Sequence, residues 1–299
     1  MERRFLFLFG VARSGTTALT QVVNANPRIA IGMERYLKLG KRGALTPEHF
    51  TVEAFFDERT PTRRLNTSPA FRAKFERAEV VGDKIPRLDT GLAKIVATFP
   101  APYFVGIVRD PFEVAHSWYR RANAEERRAW APWMSDTTSV AAQAGFWRTV
   151  LATAPADRML LVSYRTMLRD GDAMAALARR VARLVGVDEA FDAAEIGKLG
   201  RKAARLQPRE RPLDPAASAF VEANYFWPLL EALDAAGTAT VAELPAALRD
   251  DAVRFYAARP AIELEALDSL VARGLGAGMI QSRRAKLVVG VASPERAET

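Results

Sequence analysis

The sequence predicts an α/β fold in which a parallel β-sheet lies between two layers of helices. Short apolar runs without polar alternation, typical of strands buried on both faces, alternate with helical patterns. These runs cover residues 4–9, 80–81, 103–108 and 159–162. After about residue 188 strand signals are sparse and the chain is helical and rich in alanine. We therefore predict one domain over residues 1–299, with an α/β core at 1–187 and a mostly helical extension or lid at 188–299.

The helical patterns between these runs have apolar residues at the spacing of one helix face. Residues 173–187 show it most clearly, with Met174, Leu177 and Val181 on one face and Arg179 and Arg183 on the other. The predicted helices are 16–25, 88–98, 112–128, 140–154 and 173–187. Ligands of parallel sheets bind at the carboxyl ends of the strands, so we expect the functional side chains directly after each strand.

The composition limits the chemistry. The chain has no cysteine and two histidines, which excludes disulfides, thiolate metal sites and cysteine nucleophiles and disfavours a histidine-rich metal site. The net charge of +8 favours an anionic ligand, and no nucleic-acid-binding motif is present. No apolar stretch reaches the roughly 18 residues of a membrane span. The first apolar run ends at Gly10 without a cleavage site, so we interpret it as a strand and predict a cytoplasmic protein.

The segment GVARSGTT follows the first predicted strand and opens a helix, which is the setting of a phosphate-binding loop. In the pattern G-x-x-x-x-G-K-[ST], Gly10 and Gly15 match the glycines and Thr17 the hydroxyl, but Thr16 stands where the lysine belongs. Helix-start N–H groups and hydroxyls suit an anion. The candidate ligands are Arg13, Ser14, Gly15, Thr16 and Thr17. The alternative is an ordinary glycine turn.

A second motif, IVRDPFEVAHSWYRR, follows a later strand. Arg109 ends the apolar run, and Ser117 and Arg121 are four residues apart on one face of the next helix. These three donors can converge on a second phosphate. The alternative is that Arg109 pairs with a carboxylate, Asp110 or Glu113.

Together the two motifs, RSGTT after the first strand and RDP-x5-S after a later one, resemble the sulfotransferases that use 3′-phosphoadenosine-5′-phosphosulfate (PAPS). The resemblance is strong over residues 4–121, fair to 164 and weak beyond. It is greatest to the branch that includes protein-tyrosine sulfotransferases and many bacterial members. In this family the first motif holds the 5′-phosphosulfate, the arginine and serine of the second hold the 3′-phosphate, and no metal is needed. The resemblance implies that Arg13 takes over from the missing loop lysine.

The resemblance also implies the catalytic groups. Cytosolic small-molecule members use a histidine two residues after a lysine that ends a strand. In GDKIPR the lysine is Lys84, but Pro86 stands at the position of the histidine. In the branch that uses a carboxylate as base, the base is a glutamate about twenty residues after the loop arginine. Here Glu34 lies 21 positions after Arg13. Glu34 would therefore be the general base, and Lys84 with Arg13 would stabilise the departing phosphate.

Both assignments have a simpler alternative. Glu34 would be a surface residue paired with Arg35, and Lys84 a surface residue paired with Asp83.

Four further features carry weaker expectations. Tyr164, at the end of LLVSY, resembles a family tyrosine near the cofactor, or else it caps the core. We interpret His116 as structural. Trp130 and Trp133 either stack on an acceptor or anchor a lid. The basic connector at 197–215 stands where relatives fold a basic loop over the nucleotide.

The sequence thus predicts a PAPS-dependent sulfotransferase acting on a hydroxyl of a small-molecule, glycan, lipid or protein-tyrosine acceptor, with the bisphosphate PAP as the other product. One alternative is a P-loop-type phosphotransferase or NTPase in which Asp110 binds Mg²⁺. Another is a non-catalytic nucleotide-binding protein. The acceptor, the adenine-binding residues and the oligomeric state are not encoded in a readable pattern.

Overall fold

The computed structural model describes residues 3–59, 64–122, 134–205 and 213–274. Trp130, Trp133 and part of the basic connector lie outside these ranges. The chain forms two compact units, each built from separate segments. Unit 1 comprises Met1–Asp110, Phe146–Arg209 and Trp227–Val253, and unit 2 comprises Pro111–Gly145, Glu210–Phe226 and Arg254–Thr299. The division predicted at residue 187 stays a prediction.

Unit 1 contains a six-stranded sheet with the order β2-β3-β1-β4-β5-β6. The strands are β1 Arg4–Phe9, β2 Ile29–Met33, β3 Val80–Lys84, β4 Tyr103–Val108, β5 Met159–Ser163 and β6 Thr238–Thr240. The first five are parallel, which confirms the predicted fold class, whereas β6 runs antiparallel to β5. The sequence does not predict β6, because three residues are too short a run to show a period.

The helices connect and follow these strands. Their bounds are α1 Thr16–Val23, α2 Leu37–Lys41, α3 Val52–Phe55, α4 Pro69–Arg77, α5 Leu92–Thr98, α6 Pro111–Ala122, α7 Asp136–Thr153, α8 Tyr164–Met167, α9 Gly171–Val185, α10 Ala193–Ala204, α11 Pro215–Asn224, α12 Trp227–Ala236, α13 Ala246–Ala257 and α14 Ile262–Ala272. Short 3₁₀ helices cover Pro47–Phe50, Arg64–Thr67 and Leu88–Gly91. Within the described ranges, no helix is long and apolar enough to cross a membrane.

One face of the sheet is aliphatic. Leu6 and Leu8 of β1 point to this face, which α1, α9 and α10 cover. The helices contribute buried side chains that include Leu19, Val22, Met174, Leu177, Val181 and Ile196. This agrees with the apolar face predicted for residues 173–187, and Arg179 and Arg183 are exposed as expected.

The opposite face is aromatic. Alternate residues of a strand point to opposite faces, so the phenylalanines of β1 lie here. The ring of Phe7 lies 5.8 Å from that of Phe50 and 5.0 Å from that of Phe99, both edge to face. Phe9 lies 5.3 Å from Phe146 of α7. Each such pair stabilises the core by about 0.5–1.5 kcal/mol beyond its buried area. The sheet of unit 1 thus lies between two helical layers.

The predicted connector at 197–215 is wrong in its first half. Helix α10 continues through Ala204, because Ile196 and Ala203 are buried on one of its faces. The glycine at position 200 allows a close approach, since a Cβ there would lie 3.2 Å from the Cα of Gly171. Two glycines and a basic surface obscured this helix in the sequence.

Unit 2 is held by a buried ion pair. Arg273, after α14, binds Asp136 at the start of α7 with Nη2 2.6 Å from Oδ1, and these side chains are 12% and 1% exposed. Arg273 also pairs with Asp214, the N-cap of α11. These carboxylates, Asp136 first, raise the pKa of Arg273 further above its usual range. Thr137 adds a hydrogen bond of 2.8 Å to the carbonyl of Ala266. One arginine therefore links three helices.

Candidate active site

The glycine motif forms a tight loop between β1 and α1. The backbone N–H of Ser14 donates to the carbonyl of Val11 at 3.0 Å. Arg13 and Gly15 both have left-handed backbones, with φ of 77° and 95°. Left-handed residues on either side of a turn residue, followed by the N–H groups of a helix start, form an anion-binding concavity. A backbone of this shape can bind an anion, and the phosphate-binding function of the loop stays a prediction.

Gly15 meets two requirements at once. Its positive φ disfavours any residue with a Cβ, and a Cβ at this position would lie 2.4 Å from Cδ2 of Tyr164. The ring of Tyr164 thus packs directly on the loop. The sequence left open whether this tyrosine lies near the cofactor or caps the core. Its ring contacts the loop and also packs against the aliphatic core, so its role at a cofactor stays a prediction.

Arg109 joins the same group of contacts. Its Nη1 donates to the carbonyl of Arg13 at 3.0 Å, and its guanidinium carbon lies 4.2 Å from the centroid of the Tyr164 ring. A guanidinium at this distance from an aromatic face is held by a cation–π interaction. The carboxyl ends of β1, β4 and β5 therefore bring the first motif, Arg109 and Tyr164 together.

The loop hydroxyls differ in accessibility. Ser14 and Thr16 are buried, at 2% and 6% exposed, whereas Thr17 is exposed. The carbonyl of Thr16 accepts the hydroxyl of Thr20 at 2.8 Å, which stabilises the first turn of α1. Of the three predicted hydroxyls, Thr17 is the one most open to solvent.

On the other side of β1, Glu34 and Lys84 form a buried ion pair. The Nζ of Lys84 lies 2.5 Å from Oε1 of Glu34, with the side chains 1% and 15% exposed. Lys84 ends β3 beside Leu8 of β1, and Glu34 directly follows β2. The resemblance implied catalytic roles for both residues. They lie 50 positions apart in the sequence and are in contact in the structure.

The burial of these side chains argues against the surface placement in both simpler alternatives. Lys84 is not a surface residue paired with Asp83, because its side chain is buried and binds Glu34. Arg35 is not a surface residue either, being 4% exposed and donating from Nη2 to the carbonyl of Asp57 at 2.7 Å.

The turn that carries Glu34 is held through its backbone. Glu34 has a φ of 60°, and its N–H donates to the carbonyl of Lys84 at 3.0 Å. The fully buried carboxyl of Asp83 accepts the N–H groups of Tyr36, at 2.8 Å, and of Arg35. Burial raises the pKa of Asp83 to about 7, although these hydrogen bonds and the Lys84 charge oppose the shift.

Two further side chains support this turn. Asn66 brackets Met33, accepting its N–H at 2.7 Å and donating to its carbonyl at 3.1 Å. The hydroxyl of Tyr36 contacts the carbonyls of His49, at 2.6 Å, and Ala54, at 3.1 Å. Burial raises the pKa of Tyr36 to about 12, so this hydroxyl remains a donor at physiological pH.

The sequence did not indicate that Asp83 and Asn66 support this turn. The available signal for Asp83 was an acid at the end of an otherwise apolar strand, which is costly unless its oxygens are bonded. Asn66 had no comparable signal, because its partner Met33 lies 33 residues away.

The second motif is divided between the units. Arg109 belongs to unit 1, whereas Ser117 and Arg121 lie on α6 of unit 2, half-buried and four residues apart on one helix face. Their convergence with Arg109 on one phosphate stays a prediction, as does the structural role of His116. Among the described residues, no group of three or more His, Asp or Glu side chains is arranged to hold a metal ion.

Comparison with known proteins identifies a family. The family model described as the sulfotransferase family matches residues 6–190. Similar solved structures include a sulfotransferase from Alicyclobacillus acidocaldarius, at 16% identity over 83% of this chain and 100% of the other, with a TM-score of 0.46. The sulfotransferase domain of the Synechococcus PCC 7002 olefin synthase has 18% identity over 74% and 95%, with a TM-score of 0.44. A mouse sulfotransferase complexed with PAP has 16% identity over 68% and 64%, with a TM-score of 0.35. No curated protein matches the chain.

Proposed function

Because this chain belongs to the sulfotransferase family, we propose that it transfers a sulfuryl group from PAPS to a hydroxyl of an acceptor molecule. The observation that carries the proposal is the buried Lys84–Glu34 pair at the carboxyl ends of β3 and β2, next to the strand that leads into the phosphate-binding loop. A cation and a carboxylate held together at the edge of an anion site can act on a leaving group and on an incoming hydroxyl.

The loop residues fit the donor. Arg13, Gly15 and the N–H groups that open α1 form a concavity suited to the 5′-phosphosulfate, with Thr17 as the accessible hydroxyl. Arg109, which contacts the loop and Tyr164, is the proposed ligand of a second phosphate. Ser117 and Arg121, on α6 of unit 2, are proposed as phosphate ligands from the resemblance to the family alone. PAPS supplies the sulfuryl group when it is bound, and the reaction releases the bisphosphate PAP.

Glu34 is the proposed general base. Its carboxylate accepts the proton of the acceptor hydroxyl as the oxygen forms its bond to sulfur, and the bond from sulfur to the phosphate oxygen breaks. The electron pair of that bond stays on the phosphate oxygen. Lys84 and Arg13 stabilise the negative charge that develops there. Positioning and electrostatics account for most of the expected rate enhancement, and the residues proposed here need no metal.

The acceptor is proposed only as a hydroxyl-bearing small molecule, glycan or lipid. We also propose that the protein acts in the cytoplasm.

Isothermal titration calorimetry with PAP in the presence of EDTA tests the proposal. We expect binding by the wild type and a Kd at least 10-fold higher for Arg109→Ala, because a charge-assisted hydrogen bond contributes about 1.5–3 kcal/mol. Arg72→Ala is the matched control, since it removes one arginine from an exposed pair with Glu76 on α4. If PAP does not bind, or if only ATP binds and only with Mg²⁺, the proposed sulfotransferase activity is refuted and a phosphotransferase activity is favoured.

A further inference from the structure

The base of the proposed reaction sits on a short backbone turn, residues 34–36, which we call the Glu34 turn. It joins the end of β2 to α2. Its first residue has a left-handed backbone with φ of 60°, a conformation that a residue with a Cβ adopts at a cost of about 1–2 kcal/mol. Such a conformation persists only where the surroundings hold it. The identity of the group that holds the turn therefore bears on how Glu34 is aimed.

The group that holds it is the Asp83 carboxyl. Oδ2 accepts the N–H of Tyr36 at 2.8 Å, the N–H of Arg35 also donates to the carboxyl, and Oδ1 accepts the N–H of Lys84 at 3.0 Å. Two of these donors belong to the Glu34 turn and the third to the residue that binds Glu34. A carboxylate can accept several N–H groups at once, whereas an amide side chain of the same shape has only one accepting oxygen.

The surroundings of Asp83 exclude a role in direct contact with substrate. Its side chain is fully buried. A Cβ added at Gly32 would lie 2.9 Å from its Oδ1 and 2.6 Å from Cζ of Phe55, so Gly32 and Phe55 close the space beside the carboxyl. An acid in such a place acts through the backbone that it binds.

We propose that Asp83 is a positioning residue that holds the Glu34 turn and so aims the Glu34 carboxylate at Lys84 and the reacting hydroxyl. The inference rests on the proposed function, because Glu34 acts as a base only if the chain transfers sulfuryl groups. Two adjacent residues of β3 would then hold Glu34 in different ways. Asp83 binds the backbone of the turn, and Lys84 binds the side chain of Glu34.

The protonation behaviour of Asp83 agrees with this role. Burial raises its pKa to about 7, against the hydrogen bonds from the turn and the charge of Lys84. Arg35 and Tyr36, on the turn, bond to it through their backbone N–H groups, and Lys84, on β3, contributes its N–H group and its charge. A buried carboxyl is costly to the fold, and it is compensated here by donors that belong to the Glu34 turn.

The test combines amide hydrogen exchange with turnover in full-length Asp83→Asn. We expect the amides of Arg35 and Tyr36 to exchange at least 10-fold faster than in the wild type. Turnover is measured as release of labelled sulfate from [³⁵S]PAPS with water as acceptor. We expect it to fall about 10–100-fold, as for a base that is misplaced by about 1 Å, while the Kd of PAP changes less than about 2-fold.

The matched control is Asp89→Asn. Asp89 is also buried, follows the same strand and pairs with Arg87. We expect turnover of this variant to stay within about 3-fold of the wild type. If Asp83→Asn does not fold, Asp83→Ser removes the carboxyl without adding volume and is tested in the same way.

Unchanged exchange at Arg35 and Tyr36, or turnover equal to the wild type, overturns the proposal. So does an equal loss of turnover in Asp89→Asn, because it would indicate a general effect of removing a buried acid. Failure of the proposed function has a different signature: the wild type then neither binds PAP nor releases sulfate. The exchange of the two amides still decides whether Asp83 holds the turn.

Discussion

Replacing Gly15 by alanine tests two properties of the proposed phosphate-binding loop, its left-handed backbone and the packing of Tyr164 against it. The left-handed backbone at φ 95° costs alanine about 1–2 kcal/mol. The new Cβ would also lie 2.4 Å from Cδ2 and 2.5 Å from Cε2 of Tyr164, so the ring must move by about 1 Å, at a further cost of about 1–3 kcal/mol. We therefore expect the free energy of unfolding to fall by about 2–5 kcal/mol.

Two other glycines act as controls for this measurement. Gly274 has a φ of 74°, and no atom of the described residues lies within 4 Å of its missing Cβ, so Gly274→Ala should report mainly the backbone cost. Gly171, at the start of α9, has no neighbour within 4 Å of a Cβ and no positive φ, so Gly171→Ala should be neutral or stabilising by up to about 1 kcal/mol.

Urea denaturation of the three variants, followed by tryptophan fluorescence, gives the comparison. The displaced Tyr164 ring also disturbs the Arg109 guanidinium, so Gly15→Ala should bind PAP more weakly as well. A loss of stability in Gly15→Ala no greater than in Gly274→Ala would refute the reasoning, because the packing of Tyr164 on the loop would then contribute nothing.

Three further predictions concern charged groups. Glu34→Gln should lower turnover of [³⁵S]PAPS about 100-fold or more while PAP binding persists in calorimetry; normal turnover would remove Glu34 as the base. Asp136→Asn breaks the buried pair with Arg273 and should cost about 3 kcal/mol in urea denaturation, and a cost below about 1 kcal/mol would show that Arg273 is satisfied elsewhere. Because folding raises the pKa of Asp83 from 3.8 to about 7, this group favours the folded state below pH 4, and its contribution is lost as pH rises to 7. The stability difference between wild type and Asp83→Asn should therefore shrink by about 3 kcal/mol from pH 5 to pH 8, and a difference that does not change with pH would contradict the burial of this acid.

Much of the sheet could be predicted from the sequence, because buried parallel strands are continuous apolar runs. Residues 4–9 and 103–108 correspond to β1 and β4 without a shift. The end of β4 also indicated Arg109 as a functional residue, whereas the roles of Arg13 and Lys84 were implied by the resemblance to the family.

The support of the site could not be predicted in the same way. The bond from Tyr36 to Asp83 spans 47 residues, and that from Met33 to Asn66 spans 33. Such bonds depend on which strands are neighbours and on their register, which no local period records. The assignment of α6 to unit 2, directly after β4 of unit 1, also has no counterpart in the sequence pattern.

Three charged residues, Arg13, Glu34 and Arg87, share a left-handed backbone and follow the first three strands. Glycine would adopt this left-handed conformation at less cost. The backbone at each of the three positions is therefore more strained with the present side chain than it would be with glycine. Directed evolution for heat resistance alone would therefore favour glycine at exposed Arg13 and would remove the loop cation as it did so. In the proposed reaction, selection for thermostability and selection for catalysis therefore oppose each other at Arg13.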